Sequence, residues 1–109
     1  MGIGIWTSED ELNTKSTAWL VVEMCDPWFD VTRDTDDGVG YYQHSCHYTS
    51  VQLAAKEIPT KLSDYLIWRK DNIPRNFTHT DNITLSDYRR ALRFLRRSAR
   101  LGENIQMSY

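Results

Sequence analysis

Six arginines fall within twelve residues of this 109-residue chain: Arg89, Arg90, Arg93, Arg96, Arg97 and Arg100. A guanidinium group stays charged at physiological pH and presents a planar fork that matches carboxylate and phosphate oxygens. The chemistry this set supports is anion recognition rather than bond breaking. At about 100° per residue, the six cover an arc of about 120° on an α-helix. Such a face can follow a nucleic-acid backbone, receive an acidic protein, or pair with acids of its own chain.

The acids form an opposite pole. Residues 1–37 carry nine acids against Lys15 and Arg33, a net of −7, whereas residues 38–109 carry six acids and eleven bases, a net of +5. Asp26, Asp30, Asp34, Asp36 and Asp37 are expected to cluster around one hairpin as an acidic interaction face. Spaced carboxylates of this kind present the same sign of charge as a phosphate backbone, and so suit the basic groove of a nucleic-acid-handling protein. Calcium is not expected there, because the stretch lacks the Gly and Glu positions of an EF-hand loop.

His44-Ser-Cys46-His47 concentrates the soft ligands, with Cys25 and His79 elsewhere in the chain. The spacing fits no zinc finger, and strand geometry would send His44 and Cys46 to one face and His47 to the other. A Cys46–His47 or Cys46–His79 nucleophile and base can be drawn. His47-Tyr-Thr49 also fits one half of the His-x-Thr pair of two-histidine phosphodiesterases, but His79-Thr-Asp81 does not supply the second half. No Walker loop, Rossmann glycine pattern, nucleophile elbow or HExxH is present. Neither is a zinc-finger, RNP-like or GXXG signature of nucleic-acid binding. No cofactor or metal is expected.

These residues need elements to hold them. Leu85, Tyr88, Leu92, Leu95 and Ala99 recur at helical spacing and predict a helix over 84–101. Thr84 with Asp87 resembles a capping box, and Gly102 stands where an αL residue ends a helix. Upstream, Thr17–Met24 is nearly continuous in apolar, β-branched and aromatic residues and predicts a central strand. Residues 28–33 and 39–44 follow as two more strands around the Asp37-Gly38 turn. Thr49-Ser-Val-Gln52 predicts the start of a short helix ending near Pro59, and 60–70 a second. Residues 1–16 read as an arm with one helical turn near Glu9–Asn13, residues 71–83 as a long loop, and residues 102–109 as a polar tail. The expected fold is α+β, a single domain in which a three-stranded antiparallel meander (17–48) precedes two to three helices (49–101) packed on one face.

Trp19 and Trp68 lie on apolar periodicities, whereas Trp6 and Trp28 are candidate aromatic anchors at an interface. Two cysteines do not make the disulfide framework of a small secreted domain, and reduced thiols are expected. The sequons at Asn76 and Asn82 read as loop and cap chemistry. Trp6 occupies the position where N-myristoylation expects Ser or Thr. No signal peptide or membrane span is expected, so the location is read as cytoplasmic. The functional expectation is a small non-enzymatic interaction protein, an inhibitor or adaptor that binds a protein partner through segregated charge. By analogy, such a chain would suit a small phage or mobile-element protein directed at host nucleic-acid machinery. The alternatives are nucleic-acid binding by the arginine helix, and a Cys/His enzyme or metal site around 44–47. Monomer and homodimer both stay open.

Overall fold

The computed structural model describes residues 3–8, 10–12, 14–28, 43–73 and 80–108. In chain order the elements are β1 (Gly4–Trp6), β2 (Glu11–Leu12), α1 (Lys15–Cys25), a 3-10 turn at Asp26–Trp28, and β3 (Gln43–Cys46). Then come α2 (Tyr48–Glu57), α3 (Leu62–Asn72), α4 (Leu85–Leu101) and β4 (Ile105–Ser108). The class is α+β, with four helices and a four-stranded antiparallel sheet among the described residues.

The largest departure from the sequence reading is Thr17–Met24, which is helical. Eight residues of α1, from Thr17 and Ala18 to Leu20 through Cys25, are buried. A helix that is apolar all round is the form a core element takes when it is covered on every side. Helix propensity disfavours Thr and Val by only about 0.5 kcal/mol each. Full burial of a Val, Leu or Met side chain is worth about 1.5–3 kcal/mol, so packing decides the conformation.

The sheet is not the expected meander. Its strand order is β2-β1-β4-β3, so its two central strands come from residues read as an arm and a tail. β1 and β2 form a hairpin closed by reciprocal bonds, Thr7 N–H to Asp10 O at 2.8 Å and Asp10 N–H to Thr7 Oγ1 at 3.0 Å. That turn replaces the predicted helical turn near Glu9–Asn13. β4 pairs with β1 on one side, Ile5 opposite Met107, and with β3 on the other, Cys46 opposite Ile105. Ile5, Cys46, Ile105 and Met107 are all buried and join one hydrophobic cluster with Leu20, Val21 and Met24 of α1. The opposite face of the sheet carries Trp6, Glu11, Ser45 and Gln106 by the same register. The Trp6 ring lies over Gly4, where an added Cβ would approach it to 3.2 Å.

β3 is the end of the third predicted strand, and the strand stops at Cys46 because Tyr48 opens α2. The N-cap of α2 is His47 rather than Thr49, with the Tyr48 amide bonded to Asn104 Oδ1 at 2.7 Å. Trp28, the first residue of the second predicted strand, lies in the 3-10 turn, and the rest of that strand and the acidic turn after it fall on 29–42, outside the described residues. α4 packs against both α1 and α2. The predicted α4 cap is present: Thr84 Oγ1 accepts from the Asp87 N–H at 3.1 Å. Gly102, at φ +67°, ends the helix with its own N–H on Ala99 O and the Glu103 N–H on Ser98 O. That is a Schellman arrangement, and the positive φ is why glycine stands there.

Candidate anion-binding groove

α4 buries Tyr88, Ala91, Leu92, Phe94, Leu95, Ser98 and Ala99, which turns all six of its arginines outward. Tyr88 sets what lies beside them. Its hydroxyl donates to the Pro59 carbonyl in the α2–α3 connection, and its ring tilts against Tyr65 of α3 with centroids 5.0 Å apart. Burial pushes the Tyr88 hydroxyl above the usual phenol range, with Arg96 opposing the rise and Asp64 adding to it. The proton therefore stays on the oxygen that holds Pro59. Thr60, Lys61, Leu62 and Ser63 follow as a wall facing α4, and Arg96 donates to Thr60 Oγ1 at 2.8 Å.

Between this wall and α4 runs an open groove of about 1030 Å³. Arg89, Arg93, Arg96, Arg97, Arg100 and Lys61 line it with charge, and Leu62, Leu85 and Leu92 supply apolar surface. The wall is the first turn of α3, whose Lys61 N-cap makes no side-chain capping bond. Its leading N–H groups carry positive character, which Asp64 in the same turn offsets. Arg90 lies around the helix, in a smaller recess of about 260 Å³ with Ser86, Leu85, Arg89 and Arg93.

Among the described residues the arginine face is little neutralised. Arg97 meets Asp10 at 3.5 Å in an exposed pair, and Arg96 is engaged by Thr60. Arg89, Arg90, Arg93 and Arg100 meet no carboxylate there. An exposed ion pair is worth about 0–1 kcal/mol, so Asp10 leaves Arg97 free to exchange partners.

The acidic face is not assembled from described residues. Asp26 ends α1 and begins the 3-10 turn; Asp30, Asp34, Asp36 and Asp37 lie outside the described residues. Of the tryptophans, Trp28 is half-buried and stacked on Trp68, ring centroids 6.3 Å apart and planes 9° apart. It is thereby part of the packing around α3. Trp6 is 38% exposed on the sheet face that does not carry Ile5 and Met107.

Of the Cys/His set, Cys25 and Cys46 meet, whereas His47 turns away from them. Cys46 is fully buried and lies 4.0 Å from the Trp28 carbonyl, while His47 is exposed and caps α2, its ring against Tyr48. His44 is on β3 and His79 lies outside the described residues. Cys25 and Cys46 are both free and buried, and no metal-binding cluster of His, Cys, Asp or Glu occurs among the described residues. Contact with Cys46, burial and the charge of Asp26 hold the Cys25 thiol well above its ordinary range, the opposite of what a nucleophile needs.

The sequence reading missed a second polar cluster. Glu23 of α1 is 2% exposed and paired with Arg69 of α3 at 3.3 Å. Burial raises its carboxyl above the ordinary value, opposed by the Thr80 hydroxyl, Arg69 and Tyr65. The cluster ties α1 to α3 in the interior. Lys61, Leu62 and Leu85 were also missed as groove residues. Pro59 signalled the break before α3, but only Tyr88 reaching Pro59 shows which helix that break faces.

Compared with protein-family models, curated proteins and solved structures, the chain matches none.

Proposed function

We propose that this chain is a non-enzymatic interaction protein, an inhibitor or adaptor, that binds an acidic protein partner through the arginine face of α4. The observation that carries the reading is the convergence of five arginines and Lys61 on one groove that also exposes leucine. Guanidinium groups next to apolar surface are the composition of a protein–protein contact centre, where Arg is enriched and Lys depleted. A phosphate backbone would use the arginines but would leave Leu62 and Leu85 without a role, and no described aromatic side chain lines the groove to stack a base.

Affinity capture from the native cell lysate, with and without nuclease, tests this. The wild-type chain is expected to retain a protein partner after nuclease, and Arg89→Glu with Arg93→Glu is expected to lose it. These two arginines are exposed and bond to nothing else among the described residues, so the fold should tolerate the change. A partner released by nuclease would instead identify nucleic acid as the ligand, and a partner retained by the double variant would place the contact elsewhere.

A further inference from the structure

We infer that the occupant of the groove is an acidic amphipathic α-helix of the protein partner, laid along α4 with its apolar stripe on Leu62 and Leu85. This rests on the proposed protein-binding role and adds the shape and chemistry of what binds.

The spacing of the charges carries the argument. Arg89, Arg93, Arg96 and Arg100 share one narrow strip of α4, because steps of four, three and four residues return within an arc of about 60°. Along the axis these steps rise about 6.0, 4.5 and 6.0 Å, a mean of about 5.5 Å. Carboxylates repeated at i, i+4, i+7 and i+11 on a second helix rise by the same amounts, so four ion pairs stay in register. An extended peptide repeats its same-face side chains every ~6.6–6.8 Å and would drift by about 3.5 Å over three intervals.

Apolar chemistry supplies the second half. At about 100° per residue, Leu85 and Leu92 lie about 20° and about 40° from the edge of that arginine strip, on the side toward the core. Leu85 is 48% exposed, and half-buried Leu62 stands on the facing wall. A helix with apolar residues at i, i+3, i+4 and i+7 beside its acidic row would cover both leucines while its carboxylates reach the arginines. The charged side chains that line the groove are all basic, against Asp64 in the first turn of α3 and Asp10 on Arg97, so the occupant takes the opposite sign.

Fluorescence anisotropy on the full chain tests this with three labelled probes. They are an 18-residue acidic helix with leucines at i, i+3, i+4 and i+7, a scrambled peptide of identical composition, and a 20-base-pair DNA duplex. The amphipathic peptide is expected to bind at least about tenfold tighter than the scrambled one. Leu85→Gln, at an exposed position, is expected to reduce the first affinity about tenfold and leave the second unchanged. Equal binding of the two peptides, or no effect of Leu85→Gln, would overturn the amphipathic helix and leave the arginine-face role standing. Tight duplex binding with neither peptide bound would overturn both.

Discussion

The residue with the most to say about how this fold responds to its surroundings is Glu23. Its carboxyl sits inside the helix layer with Arg69 3.3 Å away, and burial raises its pKa above the ordinary value. A carboxyl whose pKa is higher folded than unfolded stabilises the fold below the unfolded value. That contribution is lost as pH rises through the folded value. Glu23→Gln is therefore expected to gain stability relative to the wild type as pH rises through and above the ordinary glutamate range, from about pH 4. Urea unfolding of both proteins across that range measures it, and because other groups cancel in the difference, a flat difference would contradict the assignment. At the ends of α4, Thr84→Ala should cost about 1 kcal/mol by removing the bond to the Asp87 amide. Gly102→Ala meets no atom within 4 Å, so its cost, about 1 kcal/mol, is the left-handed backbone alone. Chemical denaturation resolves both values.

At the scale of elements, what could be read from the sequence divides by how local the information is. α4 is written in its own residues: an apolar stripe, a Thr cap and a terminal Gly all point the same way, and each is present, except that Leu85 at the head of the stripe is exposed rather than in the core. α2 and α3 begin within one to two residues of the reading. α1 failed because a short, uninterrupted apolar run carries no period, and the β-branched Thr17, Val21 and Val22 tipped the reading toward a strand. β1 and β4 failed for a different reason. Three or four residues such as Ile105-Gln-Met-Ser108 have no signal of their own, and become strands only because Met107 meets Ile5 and Ile105 meets Cys46. The groove shared this fate: its arginines were legible, whereas its wall depends on Tyr88 reaching Pro59 across 29 residues of sequence. The central strand carries a sharp consequence. A chain ended at Asn104 leaves β1 and β3 without their common neighbour, and should lose cooperative thermal unfolding by circular dichroism. Leu20→Ala, within the fully packed α1, should cost about 2–5 kcal/mol while keeping the transition cooperative.

On the scale of the whole molecule, a net charge of −2 conceals a first third at −7 and a remainder at +5. Two ion pairs join the poles among the described residues, Glu23–Arg69 between α1 and α3 and the exposed Asp10–Arg97 pair that links the β1–β2 turn to α4. The rest of the arginine strip faces outward, held in place by an apolar stripe that packs against α1 and α2. α4 is thus a structural element first, and its binding face is a consequence of which side the core takes. Binding through such a face should weaken as salt screens it, because the Debye length falls to about 8 Å at physiological ionic strength. The most direct test is the affinity of the captured partner for the wild-type chain and for Arg89→Glu with Arg93→Glu, titrated between about 50 and 200 mM salt. The wild type should bind at least about tenfold tighter at low salt and lose that advantage as salt rises. Equal affinities at every salt concentration would contradict the account.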